Sequence, residues 1–395
     1  MTSGETAGDT SSTEKSTEKS TEKYRRIPLY RHPLLAPATS MVLGLGSLVA
    51  VLCFHFPELL TSQEFRAVYS EGFARRLLLI ALSFAFVAGT FAILRDQHKR
   101  LAFIGVGSAT IAVLAGGSDV QFETIGKTPY SLGLDWFVLS LFFSALVFIP
   151  LEHHFARRPL AVLRPGWRTD AAYFFMSHVL VQFILITVTA STSVVVESVK
   201  IGGIQDWVGG LPFVAQFFLA VFAADVAQAG LHRGYHRIVV LWRFHAVHHS
   251  SPELDWLAGS RVHLIETILT RSTVLLPLLL LGFSQEAVNA YAVLVGLQAV
   301  IAHANIGIRF GWLEYVITLP RYHHWHHARH IDYWDRNYAI HLPVVDMLMG
   351  SFKLPRDGSW PEEYGVLKPE TVPNGFVAQH LMPFRGTREY SDYVS

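Results

Sequence analysis

His232-Arg-Gly-Tyr-His236, His245-Ala-Val-His248-His249 and His323-His-Trp-His326-His327 are the stretches on which the reading of this chain turns. Thirteen of its 20 histidines fall between His232 and His341. On a helix, residues at i, i+3 and i+4 share a face, so each group can aim several imidazoles at one point. Eight such nitrogens are too many for one tetrahedral zinc, which takes four, and suit a pair of metal ions. The single cysteine, Cys53, lies in an apolar run, which excludes cysteine-based metal binding and an intramolecular disulfide.

Working outward from the histidines, the composition is that of a membrane protein. The 395 residues are 51% hydrophobic and 16% charged, against about 25% charged in soluble domains. A spanning helix needs about 20 mostly apolar residues. Runs of that kind lie near 37–57, 77–94, 101–116, 135–151, 171–195, 211–231, 263–283 and 286–304, so about eight spans are expected. The break at Gly282-Phe-Ser-Gln285 turns the last two into a tight hairpin. A net charge of +1 gives no support for nucleic-acid binding. The first 23 residues repeat Ser-Thr-Glu-Lys three times in succession, lack the apolar core of a signal peptide, and are expected to form a disordered tail. A basic flank with Arg25, Arg26 and Arg31 follows.

Basic residues collect in cytoplasmic loops. The N-terminal flank, Arg95–Arg100 and His153–Arg168 are basic, whereas the loops near 117–134 and 196–210 are not. This sets the N-terminus inside, with Arg66, Arg75 and Arg76 as the dissenting cluster. Counting spans from there puts His232, His263, His303 and the third histidine group on one membrane face. The fold expected is therefore all-α: a polytopic membrane bundle with a cytosolic histidine-rich metal cap.

Imidazole suits iron, zinc, copper and nickel. A site at the membrane surface can receive a lipid tail, and attack on an unactivated C–H bond calls for oxidation, with iron the usual agent. Ligating histidines usually donate their other N–H to a carboxylate or carbonyl. Asp225, seven residues before His232, Glu266, three after His263, and Asp335, eight after His327, are the candidates for that role.

These residues carry a resemblance. The order His-x3-His, His-x2-His-His, then His-x2-His-His after about seventy residues resembles the fatty acid hydroxylase / sterol desaturase superfamily of membrane di-iron enzymes. Asp225 to His236, Arg243 to Trp256, Arg261-Val-His263-Leu-Ile-Glu266, His303-Ala-Asn305, Pro320-Arg-Tyr-His323 and Asp335-Arg-Asn337-Tyr338 look like its bacterial sterol-desaturase-like branch. Leu264 and Ala339 stand where members often carry proline and glycine. The resemblance implies His232, His236, His245, His248, His249, His323, His326 and His327 as metal ligands, with His303 as a ninth. It places His263, Asn305 and Asn337 around the site, and it leaves His324, off the shared face, expected at the surface.

The domains expected are a tail at 1–34, additional spans at 35–133, a catalytic domain at 134–355 and a soluble extension at 356–395. The activity implied is O2-dependent hydroxylation or desaturation of a lipid (sterol-like, fatty acyl, carotenoid or ether lipid) by two iron ions. The partners implied are the lipid, the membrane and an external electron-donor protein, with no nucleic acid. The expected location is the bacterial inner membrane, metal site on the cytoplasmic face. Two rivals use the same imidazoles: a metal transporter or sensor, and a zinc-dependent lipid hydrolase. Transporters place ligands on interrupted helices near the bilayer midplane, whereas here they fall at helix ends on one face.

Overall fold

The structure, a computed structural model, describes residues 33–61, 66, 69–121, 132–199 and 202–385. Nearly all of the expected tail at 1–34 lies outside the described residues. Among those described, the secondary structure is helical, with no strand and one isolated antiparallel bridge, Ala328 to Tyr364. The chain divides into two units, Met1–Gly126 with Val138–Arg164, and Lys127–Phe137 with Pro165–Ser395.

The first unit is built on α1 (Leu35–His55), α2 (Glu71–Leu94) and α3 (Lys99–Leu114), with the body of α4 (Leu134–His154). Lipid tails are as apolar as leucine, so helices in a bilayer associate through close packing of small residues. Ser40, Gly44, Ala85, Gly89, Gly105 and Ala109 supply that here. The Ser40 hydroxyl donates to the Ala85 carbonyl at 2.8 Å. A methyl group on Gly44 would lie 2.1 Å from the Gly105 carbonyl oxygen, and one on Gly105 only 2.3 Å from the Ser40 backbone. Large side chains such as Leu79, Phe84 and Val87 point outward.

Gly105→Val is therefore expected to destabilise this unit by at least about 1–3 kcal/mol, the usual cost of overpacking. Gly107→Val adds the same side chain to the same helix, where a methyl group meets nothing within 4 Å. Thermal unfolding in detergent compares the two. Equal losses would show that helix propensity, rather than contact, governs both.

The second unit contains α5 (Trp167–Val179), α6 (Val181–Ser198), α7 (Gly202–Gly209), α8 (Phe213–Arg237) and α9 (Val239–His245). It continues with α10 (Leu264–Leu280), α11 (Gln285–His303), α12 (Pro320–His326), α13 (Pro343–Met349) and α14 (Phe376–Leu381). Helix α10 packs on α6 and α8, and α8 also meets α11. Val208, Ala220, Val221, Val274, Leu278 and Tyr291 form the core between them. The hairpin from α10 to α11 turns at Gly282, whose φ of +78° suits glycine. Ser284 then caps α11 by accepting the Ala287 N–H.

Among the described residues, six helical segments are long and apolar enough to cross a membrane: Leu35–His55, Glu71–Leu94, Lys99–Asp119, Leu134–His154, Phe213–Arg237 and Gln285–His303. They mark the chain as an integral membrane protein. Eight were expected, and this count does not confirm the other two. The run at 171–195 is divided at Leu180 into α5 and α6. The run at 263–283 yields α10, of 17 residues, about 26 Å of helix against a hydrocarbon core of about 30 Å.

Residues 356–385 pack into the second unit. Val366, Val372 and Met382 share a core with Tyr173, Trp242 and Trp334. The stretch after Gly307 winds into a 3-10 turn, Gly311–Tyr315, with Trp312 largely exposed.

Candidate metal centre

Each histidine group owes its position to a helix end. The last two turns of α8 carry His232 and His236, one turn apart. The chain leaves α8 at Ile238 and enters α9, which ends on His245, and a 3-10 turn, His248–Ser250, follows. His303 is the last residue of α11. Pro320 opens α12, where a missing N–H costs nothing, and His323, His326 and the capping His327 follow. All nine are buried, the most exposed being His248 at 8%.

The nine converge on two points rather than one. His232, His236, His245, His249 and His326 form one cluster, and His248, His303, His323 and His327 form the other. Within each, a ligand atom from every residue lies within 4.8 Å of all the others. Helical geometry explains the split. With 3.6 residues per turn, the i+4 position lies about 40° to one side of i, and i+3 about 60° to the other. His245 and His249 therefore turn to one cluster and His248 to the next; His323 and His327 turn to one and His326 to the other. This corrects the expectation that each group aims at a single point. The clusters adjoin: the rings of His249 and His327 stack at 4.3 Å.

The outward-facing nitrogens fix the tautomers. Nδ1 of His232 lies 2.7 Å from the Tyr338 carbonyl, that of His303 2.7 Å from Ala299, that of His326 2.8 Å from Arg336, and that of His248 3.1 Å from Arg261. Nδ1 of His245 meets the Glu266 carboxylate at 2.7 Å. Each of the four that faces a carbonyl must carry the proton, since a carbonyl only accepts. The Nε2 lone pairs then point inward at one another. Nε2 of His232 and His245 are 3.0 Å apart, and Nε2 of His248 and His303 are 3.3 Å apart. Two facing lone pairs repel unless a cation lies between them. Nε2 of His236 and of His326 are buried with no hydrogen-bond partner. The donor set is all imidazole, and it fits first-row transition metals.

Burial first, and neighbouring imidazoles second, hold His245, His249, His323, His326 and His327 well below the ordinary histidine pKa; His248 is lowered chiefly by burial and by His303. Neutral rings are the form that binds metal. The folded state thus binds fewer protons than the unfolded chain once pH falls below the ordinary value of about 6.5, so stability is lost on acidification. Metal-free protein is expected to melt at lower temperature at pH 5.5 than at pH 7.5. The limiting slope is about 1.4 kcal/mol per pH unit for each ring kept neutral. Melting that ignores pH would mean that these rings are already solvated.

The residues expected around the ligands divide. Glu266 does meet one of the clustered histidines, His245. Asp225 does not: its carboxylate accepts the backbone N–H groups of Ile340, His341 and Leu342, because that loop folds back across α8 and brings unpaired donors. Asp335 pairs with Arg237 at 3.6 Å on the surface, since the turn at Ile331–Tyr333 carries it off the site. His263 accepts the Ile265 N–H as the cap of α10 and stacks on His380 at 4.5 Å, outside both clusters. Asn305 is buried just past α11. Asn337, at φ +60°, binds the Lys353 backbone through both ends of its amide. His324, expected at the surface, is only 1% exposed. Trp360 and Tyr364 cover the face of α12 that carries it.

A helical membrane bundle with two buried all-histidine clusters defines an integral membrane protein with a histidine-rich candidate metal centre. Residues 217–351 match the model of the fatty acid hydroxylase family. The chain is 32% identical over 189 residues to ornithine lipid hydroxylase OlsE of Rhizobium tropici, covering 46% of this chain and 55% of that protein. It is 28% identical over 138 residues to human alkylglycerol monooxygenase, covering 35% of this chain and 30% of that one. The zebrafish (Danio rerio) alkylglycerol monooxygenase is 29% identical over 136 residues, 34% of this chain and 30% of that protein. The matched region thus spans about half the bacterial relative and under a third of the vertebrate ones. No solved structure matches the chain.

Proposed function

We propose that this protein hydroxylates a membrane lipid with O2, using two iron ions held by the nine buried histidines. The observation that carries the reading is the inward-facing Nε2 atoms, gathered in two sets, with five of the nine rings fixed by an acceptor on the opposite side. Hydroxylation is preferred to desaturation because relatives bear the names of a lipid hydroxylase and a monooxygenase. The two irons would supply activation of O2, which attack on an unactivated C–H bond requires.

The chain's own residues supply the rest. His232, His236, His245, His249 and His326 hold one ion; His248, His303, His323 and His327 hold the other. The carbonyls of Tyr338, Ala299, Arg336 and Arg261 and the Glu266 carboxylate keep the protons on Nδ1 and leave Nε2 free to bind. Burial of all nine rings excludes water, which limits loss of oxidising equivalents to solvent. Overall, the lipid C–H, O2, two electrons and two protons give the C–OH and water. The electrons come from a separate donor protein. Residues 134–355 would form the catalytic domain, and the loop charges favour the cytoplasmic face for the site.

The reading is tested with purified protein in lipid nanodiscs carrying a polar lipid extract, ferrous iron, a chemical reductant and O2. The expected product is a lipid heavier by one oxygen atom, labelled when 18O2 is supplied. Zinc-loaded protein that releases fatty acid or headgroup without O2 would establish the hydrolase instead.

A further inference from the structure

Residues 363–380 lie beyond the family match at 217–351, and their hydrogen bonds lead to the four-histidine cluster by three routes. The first is direct: the Gly365 N–H donates to the His327 carbonyl at 3.2 Å, beside the bridge between Ala328 and Tyr364. The second runs through His324. Its Nε2 lies 3.3 Å from the His303 carbonyl and must donate there, so Nδ1 is the acceptor, and it takes the Tyr364 hydroxyl at 2.9 Å. The third runs through Arg261. Gln379 Nε2 donates to the Ser250 hydroxyl at 3.3 Å, and Arg261 donates to the same oxygen at 3.1 Å. The Arg261 carbonyl holds Nδ1 of His248, while its guanidinium is tied to buried Asp170 at 2.6 Å.

His327, His303 and His248 are three of the four histidines of the smaller cluster. The five-histidine cluster is oriented from elsewhere, by Glu266 on α10 and by the Tyr338 and Arg336 carbonyls. We propose that Tyr364, His324 and Gln379 are positioning residues for the four-histidine metal position alone. The segment at 363–380 is then the part of the chain that completes this position and sets its metal affinity independently of the other. This rests on the reading that both clusters bind metal.

The experiment counts ferrous iron bound anaerobically by full-length metal-free protein. The variants are the double substitution Tyr364→Phe with Gln379→Leu, alone and combined with His236→Ala or His323→Ala. Loss of an outer partner typically lowers metal affinity about 10–100-fold. The double variant is expected to bind its second iron at least about tenfold more weakly and the first as before. Added to His236→Ala it should leave almost no tightly bound iron; added to His323→Ala it should cost nothing further. Unchanged binding of both ions would overturn the proposal, as would a loss that adds to His323→Ala rather than to His236→Ala. Wild-type protein that binds no iron would instead overturn the metal-centre reading itself. Thermal melting of each metal-free variant identifies any that has unfolded, and His324→Gln then replaces it as the test of the Tyr364 route.

Discussion

His326→Ala is expected to abolish turnover and to lower iron content by about one ion per chain. The ring sits where the two histidine groups of the larger cluster meet it: its centroid lies 4.5 Å from that of His232, 4.9 Å from His236 and 4.7 Å from His249. Its Nε2 is buried with no hydrogen-bond partner among the described residues, which is what a ligand atom would show. Loss of an outer-sphere partner already costs 10–100-fold in comparable sites, so loss of a ligand should exceed about a hundredfold in activity. His330→Ala, on an exposed turn, is the control. Normal iron content and turnover in His326→Ala would remove that residue from the ligand set.

The largest loss of stability is expected from Asp346→Ala. This carboxylate is fully buried and accepts four hydrogen bonds. Oδ1 takes the Tyr338 N–H at 2.9 Å and the Ser351 hydroxyl at 2.6 Å. Oδ2 takes the Ala339 N–H at 2.6 Å and the Tyr322 hydroxyl at 2.6 Å. Each buried donor left unpaired costs about 1–3 kcal/mol, so a total of about 4 kcal/mol or more is expected. The loop it organises carries the Tyr338 carbonyl that orients His232, so metal affinity should fall as well. Denaturant melts of metal-free protein measure the first effect and iron titration the second. A loss below about 1 kcal/mol would show that the loop holds itself without the carboxylate.

What could be read without the structure follows physical lines. The three histidine groups and the apolar runs are local signals, and they pointed to the clustered histidines and the helical class. The division of the ligands between two points was within reach too, since the opposite offsets of i+3 and i+4 are a property of the helix. It was missed because the groups were treated as single faces. Asp225 misled for a different reason. Its spacing from His232 suggested a ligand partner, but its true partners are backbone N–H groups more than a hundred residues away, which no spacing reports. Asp346 left a trace, an acid inside the apolar run Pro343-Val-Val-Asp346-Met-Leu-Met349, where an unpaired carboxylate would be prohibitively costly. His324 was judged from its own helix alone, and the segment that buries it comes forty residues later. The span count is unconfirmed where apolar length is present but helix continuity, at Leu180, is not.

Helix α12 runs for only seven residues, from Pro320 to His326. A helix that short has no stability of its own in water. It is held by contacts with residues up to Tyr364 and, under the proposed function, by metal bonds through two of its side chains and its capping His327. Metal-binding energy is then folding energy. A strong chelator should act on this protein as a selective denaturant, loosening the chain from α12 onward without urea or heat, and restored iron should act as the refolding agent.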